Sequence, residues 1–130
     1  MSSIFTKIIK GEIPSYKIAE TADFYAFLDV FPLAEGHTLV VPKIEIDYIF
    51  DLSDEKLAAM NIFSKKIAIA IEKAIPCKRI GTAVIGLEVP HAHIHLIPIN
   101  NVGDINFERP KLKISKERFE EIAQAISKNL

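Results

Sequence analysis

The chain lacks several features that would fix its class at once. It has one cysteine, Cys77, so a disulfide framework or an intrachain cysteine zinc cluster is excluded. It has no surplus of either charge: 16 Lys and Arg against 17 Asp and Glu leave a formal net charge of −1. That balance argues against bulk nucleic-acid binding, which draws on a basic excess. No apolar run approaches the ~18 residues of a membrane helix. The opening Met-Ser-Ser-Ile-Phe-Thr-Lys has no apolar leader region, so a reducing cytoplasm is expected. Nor is there a repeat, a low-complexity tract or a Ser/Gly linker. What remains is 49% hydrophobic and 25% charged, ordinary for a globular protein. Residues 1–130 therefore read as one domain, long enough to bury a core without staples.

Ser3 is placed to cap a short helix carrying Ile4, Phe5, Ile8 and Ile9, with Gly11 to close it. Tyr16 to Glu20, Phe24 to Asp29 and Thr38 to Val41 read as strands, the third stopped by Pro42. Ser53, followed by Asp54 and Glu55, caps a long helix. Leu57, Met60, Phe63, Ile67, Ile71 and Ala74 form its apolar stripe. Ile80 to Ile85 and Val89 to Ile97 read as two more strands, and Ser115 caps a last helix presenting Phe119, Ile122 and Ile126. The expected fold is α+β: an antiparallel meander sheet with a long helix and short terminal helices packed outside.

Three of the four histidines, His91, His93 and His95, alternate in Pro-His-Ala-His-Ile-His-Leu-Ile-Pro. Period two puts three imidazoles on one strand face and Ala92, Ile94 and Leu96 on the other. The fourth, His37, follows Gly36 at the start of a strand. Three groups that all become cationic near pH ~6 are a costly way to make a face polar. Two chemistries fit. Histidines on a strand can ligate zinc, with a further ligand from elsewhere; after His95, however, the next acid is Asp104. Alternatively one neutral imidazole attacks phosphorus while its neighbours hydrogen-bond phosphate oxygens and the leaving group.

The His-x-His-x-His-x-x run from His91 to Ile97, with x apolar, resembles the signature of the histidine triad (HIT) family, and its nucleotide-binding, Hint-like branch above all. Three upstream segments resemble that family in order. They are Ile4-Phe5 through Pro14, Ala26-Phe27-Leu28-Asp29, and Gly36-His37-Thr38-Leu39-Val40-Val41-Pro42-Lys43. The resemblance implies a HIT-like fold and a hydrolase or transferase acting at the α-phosphate of a purine nucleotide. Nucleoside phosphoramidates and dinucleoside polyphosphates are the implied substrate classes. By position, His93 is the implied nucleophile, forming a nucleotidyl-histidine intermediate. His95 and His37 are implied on the phosphate side and in support, and the neighbourhood of His91 orients His93. Asp29 matches the acid that holds the ribose hydroxyls; a turn role ahead of Phe31-Pro32 is equally open to it. Ile4, Phe5, Ile8 and Phe27 match base-pocket positions, although plain core is the commoner use of such side chains. Gly86, Glu88 and Val89 match the phosphate border.

The departures are specific. Ser3 and Thr6 stand where many members carry zinc-holding cysteines, so no metal and no cofactor is expected. Gly86-Leu87-Glu88-Val89 replaces a Gly-Gln-Ser/Thr-Val pattern, putting a carboxylate where a hydroxyl would donate to phosphate. Strand alternation would turn Glu88 away, toward solvent or toward Lys78 or Arg79. A non-catalytic nucleotide-binding or adaptor protein is the competing reading, with a His-ligated zinc hydrolase behind it. Lys111, Lys113 and Lys116 read as a solvated basic face. A mean hydropathy of +0.21 leaves more apolar side chain than a small monomer buries. A homodimer is expected, joined through the long helix from Asp54 to Lys73 and the strands after it, with no membrane or nucleic-acid partner.

Overall fold

The structure is a computed structural model and describes residues 2–130. Its elements run α1 (Ile4–Ile9), β1 (Lys17–Glu20), β2 (Phe24–Leu28), β3 (Thr38–Pro42), α2 (Asp54–Ala74), β4 (Arg79–Ala83), β5 (Ile94–Ile99) and α3 (Lys116–Ser127). Short 3-10 turns at Ile49–Asp51 and Val102–Asp104 punctuate the loops. The helices start where the sequence puts caps. Ser3, Ser53 and Ser115 each turn a hydroxyl back to accept the N–H three residues on, from Thr6, Lys56 and Arg118. Gly11, at φ +79°, leaves the first helix in the left-handed conformation expected of a helix-closing glycine.

The class is α+β, with a five-stranded antiparallel open sheet and three helices. The meander holds for β1, β2 and β3 only, because the sheet order is β1-β2-β3-β5-β4. The 21 residues of α2, about 30 Å of helix, carry the chain from β3 to the far edge. There β4 is laid down, and β5 returns between β4 and β3. The last strand starts at Ile94 rather than Val89, since β3 pairs it only as far as Ile94. Pro42 and Pro98 lie inside strands. Pro98 sits past Leu96, the last β5 residue that β3 pairs, so its missing N–H forfeits no bond on that side.

The alternation of strand side chains sorts the interior into two bodies. Phe24, Ala26, Leu28, Val40, Ile94 and Leu96 meet α2 and α3 in one apolar cluster. Tyr25, Phe27, Leu39 and Val41 point the other way and are covered by Phe5 and Ile8 of α1. The short first helix is therefore alone on its face, and the histidines share that face with it. Among the described residues no helix is long and apolar enough to cross a membrane.

Candidate active site

His95 stands on β5 and His37 immediately precedes β3. His91 and His93 lie in the irregular approach to β5, where no strand pairs them. The expected division of faces survives there: Ala92 joins the helix-side cluster, while the imidazoles turn to the α1 side. All four rings are buried, His91 completely. The approach is held by separate bonds, His91 N–H to Val89 O at 2.8 Å and Ala92 N–H to Ile46 O at 2.7 Å.

Hydrogen-bond partners fix the protons on these rings. His91 Nε2 meets the carbonyl of Pro42 at 2.8 Å, so it donates. Its Nδ1 then accepts, from Ser3 Oγ at 2.7 Å. His93 Nδ1 meets the carbonyl of His91 at 2.8 Å and donates, which leaves the lone pair on Nε2. On the other side the Leu33 N–H points at His37 Nδ1 at 3.0 Å, so the proton of His37 is on Nε2. That proton goes to His95 Nδ1 at 2.9 Å. His95 is left with its N–H on Nε2. Adjacent rings, 4.9 Å apart edge to face, thus present a bare nitrogen on His93 and a donor on His95.

Burial keeps His37, His93 and His95 neutral. It lowers His95 to about 4, helped by the neighbouring His93. His37 falls to about 3, through burial first and then His95, Lys111 and His93. His93 lies below its ordinary value of 6.5, burial outweighing the bond to the His91 carbonyl. Asp29 moves the opposite way, pushed up to about 6 by burial against the Phe31 N–H and Lys111, with Glu88 adding to the rise. It accepts that N–H at 2.9 Å and stands 3.5 Å from His37 Nε2, so it shapes the turn and borders the imidazoles at once.

The triad of alternating histidines thus sets a bare imidazole nitrogen beside an imidazole donor. The family model described as HIT domain matches residues 10–102. The chain belongs to the HIT family. Its relatives include adenosine 5'-monophosphoramidase hnt1 of Schizosaccharomyces pombe, 38% identical over 133 residues, covering 100% of this chain and 99% of that one. A solved Hit-like protein described as involved in cell-cycle regulation, from Bartonella henselae, superposes with a TM-score of 0.86 at 33% identity, covering 99% and 96% of the two chains. A zinc-bound histidine triad family protein from Mycobacterium smegmatis gives 0.81 at 27% identity, covering 99% and 93%.

Zinc, which the HIT family implies where the N-terminal cysteines occur, does not fit the residues present here. Ser3 and Thr6 offer neutral hydroxyls in place of thiolates, and both are spent on His91 and Glu45. Asp29, His37 and His95 do bring one ligand-type atom each within 4.8 Å of one another. Yet Leu33 occupies Nδ1 of His37, so its Nε2 keeps a proton and has no lone pair for a metal.

Of the base-pocket positions, Phe5, Ile8 and Phe27 are buried core on the site face, while Ile4 is 48% exposed. Phe5 does reach the triad, edge-on to His93 at 5.0 Å. Gly86 has a φ of +72°, and Val89 packs beneath against the α1-side cluster. Glu88 corrects the alternation argument: residues 84–93 are not a strand, so period two does not apply. Its carboxylate is nonetheless exposed to solvent, and its charge adds to the rise of Asp29 and opposes the lowering of His93. Lys111 is likewise corrected from a solvated face, since its charge bears on Asp29 and His37. Its ammonium donates to the carbonyls of Phe107 and Arg109. Phe107 itself lies edge-on to His95 at 4.7 Å. The sequence reading missed Phe107, whose one signal is that it is the sole aromatic between β5 and α3. A trough of about 780 Å³ lies between α2 and the segment after β4, bordered by Tyr48, Phe50, Lys65, Ile85 and Leu87, and reaches His93.

Proposed function

We propose that this HIT-family hydrolase cleaves a bond at the α-phosphate of a purine nucleotide, through a nucleotidyl-histidine intermediate on His93. The bare Nε2 of His93 beside the Nε2–H of His95 carries the reading. His93 Nε2 forms a bond to phosphorus as the bond to the leaving group breaks; the Nε2–H of His95 hydrogen-bonds the phosphate beside it, and the leaving group departs with a proton from solvent. Water then attacks phosphorus, the phosphorus–nitrogen bond breaks, and the water's proton passes to solvent. A neutral ring suits a nucleophile and a hydrogen-bond donor, and burial keeps both rings neutral at cell pH. Nucleoside phosphoramidates are the first substrate class to try, because relatives of similar length are named adenosine 5'-monophosphoramidases; dinucleoside polyphosphates are the second. Asp29 is assigned to the ribose hydroxyls, and Phe5 to the wall beside His93.

The decisive test is turnover of an adenosine phosphoramidate by wild type and by His93→Ala. A wild-type rate that the variant loses supports the reading. Tight nucleotide binding without turnover by the wild type would favour a binding or adaptor protein, the role to which Leu87, 88% exposed, and Glu88 would suit the phosphate border. A homodimer is part of the proposal. The outer side of β4 is unpaired in this sheet, and Ile62 and Ile69 of α2 stand exposed with Val84 and Ile85. Light scattering that gives one chain's 14.5 kDa at micromolar concentration would refute it.

A further inference from the structure

The carbonyl that holds the His93 proton belongs to His91, and the segment carrying both residues has no strand beside it. Its position depends on what grips the His91 ring. One grip is the Pro42 carbonyl on Nε2. The other is a chain of polar groups from α1 and from the loop after β3. Ser3 Oγ donates to His91 Nδ1 at 2.7 Å and accepts the Thr6 N–H at 3.1 Å. Thr6 Oγ1 donates to Glu45 Oε1 at 2.6 Å, and the Ser3 N–H donates to the same oxygen at 2.6 Å. One carboxylate oxygen thus gathers both ends of the first turn of α1. That turn delivers a hydroxyl to a fully buried ring.

We propose that Glu45, Thr6 and Ser3 form a hydrogen-bonded strut that positions His93 by clamping the ring and carbonyl of His91. They are positioning residues, since none of them reaches His93 itself. Its bonds to Glu45 and His91 join residues 39 to 88 positions apart along the chain, so the strut also pins α1 to the site. A hydroxyl–carboxylate chain does this without metal, which agrees with the poor fit of zinc to the same side chains. Removing Glu45 frees the Thr6 hydroxyl and the Ser3 N–H; the turn loosens, the His91 Nδ1 partner wanders, and the His91 carbonyl moves with it. Gln at position 45 keeps Oε1 as an acceptor and preserves both bonds.

The effect on turnover rests on the function proposed above; the effect on the His93 proton does not. The experiment is therefore solvent exchange of the His93 Nδ1–H by NMR, together with kcat and KM for an adenosine phosphoramidate. It is run on wild type, Glu45→Ala, Thr6→Val, Glu45→Gln and Ile67→Val. Ile67 lies in the opposite core, so its variant loses stability without touching the strut. In Glu45→Ala and Thr6→Val the proton should exchange about tenfold faster, and kcat should fall about tenfold with KM unchanged. Glu45→Gln and Ile67→Val should match wild type in both. Unchanged exchange in Glu45→Ala, or equal acceleration in Ile67→Val, overturns the strut. If wild type shows no turnover, the proposed function fails, and the exchange data alone decide the strut.

Discussion

On the α2 and α3 side, the strands present Phe24, Ala26, Leu28, Val40, Ile94 and Leu96 to helices that answer with Met60, Ile67, Ile71 and Ile126. On the α1 side, the same strands present Phe27, Leu39, Val41 and His95, and the cover is one short helix, four imidazoles and a loop. Both faces are buried. The first is held by apolar area, non-directional and tolerant of small shifts. The second is held by directed bonds: among the described residues no buried side-chain nitrogen or oxygen lacks a partner. The Nε2–H of His91, the Nδ1–H of His93 and the Nε2–H of His37 each meet one acceptor, which a solvated face would not enforce. Stability is concentrated on one side of the sheet and protonation-state control on the other, and mutations should separate the two.

The largest separation is expected at His93. His93→Ala should lower turnover by about three orders of magnitude or more, ~4 kcal/mol in activation free energy, while nucleotide binding and melting temperature stay near wild type. More than a tenth of the activity remaining would remove His93 as nucleophile. On the opposite face, Ile71→Ala should cost about 3 kcal/mol in denaturant unfolding, with kcat per folded molecule unchanged. A large kcat loss there would mean the faces are not independent.

Acid should strike the imidazole face selectively. His37 and His95 have folded values near 3 and 4 against 6.5 for a free imidazole, so the unfolded chain takes protons that the fold refuses. Stability is full above pH 6.5 and falls by about 3 kcal/mol for each ring as pH drops to about 4. Asp29, raised to about 6, has the opposite sign: its contribution is present at low pH and is lost as pH rises through 6. Urea midpoints between pH 7 and 4 will show a net fall if the histidines dominate. A flat profile would mean that the rings accept protons in the folded state.

Gly36 joins the two faces. Its φ is +92°, and an added Cβ would lie 2.9 Å from Ile75 and 3.2 Å from Pro98. Gly36→Ala should cost about 2 kcal/mol and disturb His37, its neighbour, so stability and kcat fall together. The smallest effect belongs to Glu88. With its charge bearing on Asp29 and His93 from an exposed position, Glu88→Ser should raise kcat by about twofold at low salt and less at high salt. A hundredfold fall in Glu88→Gln would make it a catalytic acid.

Local rules reached far in this chain. Three serines predicted three helix starts, and one apolar stripe predicted α2 over its observed span, because caps and periodicity are settled within a few residues. The histidine alternation also predicted which residues face the helices. What the sequence could not carry was anything set by a distant partner. The start of β5 depends on where β3 stops pairing, so a β-like run from Val89 stayed irregular up to Ile94. The insertion of β5 beside β3 depends on the reach of α2. Glu45 looks like any surface acid until Ser3, 42 residues away, is seen donating to it.

The Phe107 and Lys111 wall lies outside residues 10–102, the part that the family model matches. It meets the imidazoles by ring contact and is moored to the loop before His37 by the Leu112 N–H on the Pro32 carbonyl, 2.9 Å long. No sheet pairing passes through it. Evolution can therefore rewrite this wall, its length and its charge, while every proton in the triad keeps its place. In such a lineage substrate preference would diversify through a tail segment, on a reaction centre that stays unaltered.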